Sequence, residues 1–205
     1  MVSSLLFKSN QKFISGFGLV ELLVSVSIMV LVTGTVIARH SSFNGASLLR
    51  SQAWEVALGI REVQLTAVSA TNVGSATDFR QVYGVHFNVS NTGDRQSYVV
   101  FRDLSPIDYF YRNTDELVGR QGRLDRRFEI SDIRSFSSLG AESSLTNLSI
   151  TFERPNYDAR FRINSFGDLN ADRIEITVRV IGTTDNANRR IIEVTRAGQI
   201  SVRNN

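Results

Sequence analysis

Cysteine is absent from the 205 residues, while lysine, histidine and proline each occur only twice and tryptophan once. Without cysteine there is no disulfide, thiolate nucleophile or sulfur metal ligand, so a folded domain must stand on its apolar core alone. The histidines, His40 and His86, have no second histidine or cysteine at ligand spacing, which argues against zinc. Both lysines, Lys8 and Lys12, precede the longest apolar run, and without them 21 arginines face 20 acidic residues. Such a near-neutral body makes no compositional case for nucleic acid or an anionic surface as partner. Acid–base pairs are missing too, since neighbouring carboxylates such as Asp115 and Glu116 read as solvated loop acids. His86, without catalytic partners, is expected to be a sheet residue with a local hydrogen bond. These absences leave no enzyme and no cofactor in the expectation.

What is present begins with Leu19 to Ala38, twenty residues without Lys, Arg, Asp or Pro. As a helix rising about 1.5 Å per residue, the run reaches about the 30 Å of a hydrocarbon core. The upstream lysines favour a cytoplasmic N-terminus, with everything after residue 40 outside. One carboxylate, Glu21, interrupts the run, and three readings treat it differently. A secretory signal cut after Val36-Ile37-Ala38 has too long an apolar stretch and leaves Glu21 unexplained. For a plain single-pass anchor Glu21 is a cost of about 2.5 to 3.5 kcal/mol at mid-bilayer, and less near the interface. Cleavage between Gly16 and Phe17 instead creates an α-amino group one helical turn before Glu21. The two charges can then pair within one subunit, or between neighbours in a helical bundle, where the pair would fix axial register.

Gly16, then Phe17-Gly18-Leu19-Val20-Glu21 and an apolar helix after a basic leader, resembles the class III signal of type IV pilins and of type II secretion pseudopilins. The resemblance covers about 25 residues of motif and implies the rest as expectation. Prepilin peptidase would cut after Gly16 and methylate Phe17, and Glu21 would set assembly register among the helices of neighbouring pilins or pseudopilins. Gly18 departs from the threonine common in that family. Ala38 stands near where major pilins often carry a helix-kinking proline, which leans toward a minor subunit.

Beyond Arg39, Ala46, Leu49, Ala53, Val56, Ile60, Val63 and Ala67 follow the spacing of one helix face, with Arg50, Gln52, Glu55, Arg61, Glu62 and Gln64 on the rest. Ser41 to Gly45 lower helix propensity at the join. Thr71 to Thr77 read as an exit loop, and strands are predicted at 81–89, 97–103, 127–133, 145–153, 159–164, 173–181, 190–195 and 199–203. Turns are expected at Asn91 to Asp94, Thr183 to Asn188 and Ala197-Gly198.

The fold class expected is therefore α+β: a long N-terminal helix, half membrane and half amphipathic, packed on an antiparallel meander. The chain divides into a leader (1–16), a transmembrane and assembly helix (17–40), an amphipathic helix (41–70) and an extracytoplasmic β-rich domain (71–205). The closing strands, and Tyr83 to Phe87 early in the sheet, are similar to H-type minor pseudopilins and their pilus-biogenesis relatives. The resemblance implies a single-pass protein of the cytoplasmic membrane that enters a filament.

Two smaller signals remain. Asp168, Asn170 and Asp172 have the start of a calcium loop, but Arg173 stands where its glycine belongs and Arg179 where its bidentate glutamate belongs, so a turn is expected and no metal. Arg189, Arg190, Arg196 and Arg203 gather on the last strands, and some relatives of the H-type subunits bind DNA there. The alternative reading makes these four phosphate contacts in a competence pilus, although Arg189 and Arg190 alternate faces and Asp185 and Glu193 lie near.

Overall fold

The structure is a computed structural model and describes residues 18–69, 81–104, 106–119, 121–164, 167–183 and 185–204, without the side chains of 38–44 and 187. Gly16, Phe17 and the predicted loop Thr71 to Thr77 lie outside the described residues. The chain forms two compact units, Met1–Asn44 and Gly45–Asn205.

A single helix, α1, is assigned over Leu19–Ser69, so Ser41 to Gly45 do not end it. In the first unit its residues Leu19–Ile37 are apolar and wholly exposed, long enough for one membrane span or a signal sequence. A helix segment with apolar residues all round has no polar face to turn to water, which fits either role.

In the second unit the helix is amphipathic. Leu49, Ala53, Val56, Ile60, Val63 and Ala67 are buried as their spacing predicts, but Ala46 is exposed, because it lies beyond the sheets' cover. Ala57 and Gln64 are buried as well, which corrects the placement of Gln64 on the polar face.

Among the described residues eleven strands follow, all paired antiparallel. They are β1 (Val82–Asn88), β2 (Ser97–Asp103), β3 (Glu116–Leu117), β4 (Gly122–Arg123), β5 (Phe128–Phe136), β6 (Glu142–Leu145), β7 (Asn147–Glu153), β8 (Ala159–Arg162), β9 (Arg173–Val180), β10 (Arg189–Thr195) and β11 (Ile200–Asn204). The α+β class holds, but the single meander does not. The first sheet has the order β3-β2-β1-β7-β8, with β4 also on β2, and the second has β11-β10-β9-β5-β6. Two sheets are needed because both present an apolar face. Val85, Phe87, Ile150 and Phe161 on the first share one core with Ile130, Ile174, Ile176 and Ile192 on the second and with the α1 stripe.

β5 shows how this core disturbs simple alternation. Ile130 faces Val178 and Ile133 faces Ile176, a step of three residues against two, so a β-bulge falls between Ile130 and Asp132. Both isoleucines are thereby fully buried. The hairpin after β10 turns on Gly198 at φ +77°, where a Cβ would lie 1.9 Å from the Tyr157 carbonyl oxygen. Above it, Gln64 Nε2 donates to Tyr157 O at 2.8 Å and to Gly198 O at 2.9 Å, tying the helix to the hairpin.

Candidate functional site

Glu21 lies in the first turn of α1 and is exposed, in a segment whose other side chains carry no charge. Helix geometry accounts for its local setting. The Leu22 N–H donates to Gly18 O at 3.1 Å, and Ser25 Oγ returns to the Glu21 carbonyl at 2.8 Å, so the side-chain carboxylate is left to whatever surrounds the helix. A carboxylate in a first helical turn gains about 0.3 to 1 kcal/mol from the helix dipole. That is less than its transfer cost into hydrocarbon near mid-bilayer, so the dipole alone does not account for it there.

The four C-terminal arginines are drawn into the protein's own contacts. Arg203 lies between Glu175, at 2.5 Å, and Glu193, at 3.4 Å. Arg196 donates through Nε to Ala171 O at 3.0 Å and through Nη2 to Leu169 O at 3.1 Å. Arg190 Nη1 bonds the Arg189 carbonyl at 2.7 Å, and Arg189 sits on the outer face of the second sheet beside Arg179 and Glu175. This outer face is a mosaic of both signs, with Arg179 on Glu129 at 2.7 Å and Arg134 bridging Asp132 at 2.5 Å and Glu142 at 2.6 Å.

The calcium-like loop is likewise occupied by guanidinium groups. Asp168 Oδ1 accepts from Arg162 Nε at 2.9 Å and Oδ2 lies 3.8 Å from Arg160, while Arg196 takes the Leu169 and Ala171 carbonyls. Asp168 thus bonds arginine side chains of the adjacent edge strand β8. Asp115 and Glu116 are not a pair of solvated acids, because Asp115 is buried and bonds two backbone N–H groups, and Glu116 pairs with Arg102. His86 is the expected sheet residue, with Nδ1 2.9 Å from Ser149 Oγ. Burial alone pushes its pKa down to about 4.

Sequence periodicity missed a groove of about 620 Å³ between the outer side of α1 and the edge of the first sheet. Trp54, Leu58, Tyr83, Tyr98, Val100 and Val118 supply its apolar lining, with Glu55 and Glu62 along the helix. It exists because β2 has an incomplete neighbour. β3 and β4 cover only its two ends, and between them the Gln121 side chain takes both the N–H (2.8 Å) and the C=O (3.0 Å) of Val100 in place of a strand. The signal available in the sequence was three apolar residues off the core stripe. Trp54, Leu58 and Leu65 are 42%, 62% and 53% exposed, and together they make a second apolar face on the helix.

Among the described residues no group of three or more His, Cys, Asp or Glu side chains is placed to hold a metal ion. No protein-family model, curated protein or solved structure matches the chain.

Proposed function

We propose that this chain is the precursor of a minor pseudopilin or minor type IV pilin, a structural subunit of a type II secretion pseudopilus or type IV pilus. Prepilin peptidase cuts it after Gly16 and methylates Phe17, the apolar half of α1 holds it in the cytoplasmic membrane, and the β-rich unit faces outward. The observation that carries this reading is Glu21, the single charge in an exposed apolar helix segment and the fifth residue after Gly16. An α+β body behind that helix is the further support. The competing reading, a DNA receptor of a competence pilus, requires arginines that the protein already engages, Arg203 by two glutamates and Arg196 by two carbonyls.

The deciding experiment is the mass and N-terminal sequence of the protein extracted from membranes of cells that express prepilin peptidase. An N-methylated Phe17 is the expected terminus. A terminus at Arg39 would replace this reading with an ordinary signal peptide, and an uncut Met1 with a simple anchor.

In the same reading, the Trp54–Leu58–Leu65 face supplies lateral contacts to neighbouring subunits. Leu58→Gln is expected to leave thermal stability within about 0.5 kcal/mol, since the side chain is largely in solvent already and no charge is added beside Glu55 and Glu62. Recovery in sheared filaments should fall severalfold, and unchanged recovery would remove this face from the assembly.

A further inference from the structure

Residues 106–115 cross the outer face of the first sheet, and strand register states what lies beneath them. Asp103, Val82 and Glu153 form one row across β2, β1 and β7, then Phe101, Gly84 and Thr151, then Val99, His86 and Ser149. These positions alternate with the core-facing ones and point the other way. Yet Val82, Phe101, Asp103, Ser149 and Thr151 are buried.

The strap is a large part of their cover. Phe101 lies flat over Gly84, where a Cβ would come 2.6 Å from its Cζ. Tyr111 packs on Phe101 at 5.3 Å and on His86 at 5.2 Å, and Phe110 meets His86 edge-on at 5.3 Å. Two polar ties complete it, Tyr111 N–H to Ser149 Oγ and Tyr109 Oη to Glu153 Oε2, each 3.1 Å.

Its hinge is built on carboxylates. Asp103 Oδ2 accepts from Tyr109 N–H at 2.6 Å and from Asp108 N–H at 3.2 Å, and so holds Tyr109 at φ +60°, a conformation disfavoured for a residue with a Cβ. Asp103 Oδ1 is buried with no hydrogen-bond partner among the described residues. Asp115 accepts from Arg112 N–H at 2.6 Å and Leu104 N–H at 3.4 Å, and Asp108 pairs with Arg112. The charges facing Asp103 are thus Asp108 and Asp115 in the strap and Glu153 along its row. Arg112 is matched to Asp108, while Arg160 and Arg162 on β8 stack on the Tyr109 ring. His86 faces Ser149, Phe110 and Tyr111, with Arg162 one strand further on.

We infer that two titratable groups beneath the strap, the carboxyl of Asp103 at its hinge and the imidazole of His86 under its tip, make its closure respond to pH in opposite directions. Their effects oppose, so the intact protein responds to pH less than a variant that keeps either group alone.

The direction of each switch follows from its surroundings. Burial, reinforced by Asp115 and Asp108 and opposed by the two N–H bonds, pushes Asp103 up to about 6 from 3.8. Burial pushes His86 down to about 4 from 6.5. Lifting the strap returns both groups to their ordinary values. Ionisation of Asp103 therefore favours opening as pH rises through 6, and protonation of His86 favours opening as pH falls below 6.5. By proton linkage, going from pH 8 to pH 5 lowers the opening equilibrium about tenfold through Asp103 and raises it about thirtyfold through His86, so the two contributions subtract.

The test is amide hydrogen exchange at Asp108, Tyr109 and Tyr111 in the full chain in detergent micelles between pH 5 and 8, corrected for intrinsic exchange. In the wild type, protection should change less than in either variant. Asp103→Asn keeps an acceptor for both N–H groups but cannot ionise, so from pH 8 to pH 5 protection should fall about thirtyfold. In His86→Gln it should rise about tenfold over the same range. A wild type that moves more than both variants, or a variant with a flat or reversed slope, overturns the inference. If one variant fails to fold, the sign of the other's slope decides it.

Discussion

Gly198→Ala is expected to lower the melting temperature by about 6 to 12 °C, the result of losing about 3 kcal/mol in a domain of this size. Two independent costs add at that position. The backbone sits at φ +77°, where a Cβ is strained by about 1 to 2 kcal/mol. The same Cβ would also meet Tyr157 O at 1.9 Å and Gln64 Nε2 at 2.4 Å, and neither can withdraw, because they bond each other. Relieving the clash therefore breaks the link between α1 and the β10–β11 hairpin. Gln64→Leu tests the same joint from the other side. Gln64 is 2% exposed and its amide serves two carbonyls, so its loss leaves Tyr157 O and Gly198 O without that donor and costs about 2 to 4 kcal/mol. Thermal unfolding followed by circular dichroism checks both. A melting temperature within 2 °C or so of wild type for Gly198→Ala would mean that the hairpin moves away from the helix at little cost.

Glu21→Ala is expected to leave cleavage and membrane insertion intact and to cut recovery in filaments tenfold or more. The pairing argument makes this effect large. A carboxylate in hydrocarbon is kept because a cation meets it, and removing one partner of a buried pair costs about 3 to 5 kcal/mol, since the other charge is left unmatched. Were Glu21 present only to favour the first turn of α1, its loss would cost about 0.3 to 1 kcal/mol and change nothing in assembly. Glu21→Gln separates charge from shape, and it should behave like the alanine variant if the Phe17 amine is the partner. The measurement is the ratio of the protein in sheared filaments to that in membranes, with N-terminal sequencing to show that processing is unchanged. Normal incorporation of both variants would sink the register argument while leaving the cleavage site as an independent matter.

Strands with clear alternation were legible in the sequence. Arg173 to Val180 carries Ile174, Ile176 and Val178 inward as their spacing requires, and the eight predicted strands each correspond to an observed one. β3 and β4 escaped because two residues hold no periodicity. β6 escaped because Glu142 to Ser144 are exposed polar residues that pair only with the edge of β5. The helix stripe showed its core face but hid its second apolar face, since Trp54, Leu58 and Leu65 break no rule of an amphipathic pattern singly.

The sequence by itself determined the local elements: an apolar helix with one carboxylate, an amphipathic continuation, strands of period two and turns at glycine and asparagine. Each follows from backbone preference and from the spacing that gathers apolar side chains on one side. Only the tertiary structure decided that the strands divide into two sheets around one core, that Gln64 is an interior tie and that Asp103 and His86 lie under one strap. Those facts depend on pairings such as Val82 with both Asp103 and Glu153. Alternation states which face a side chain takes, but it carries no information about which distant strand will lie beside it.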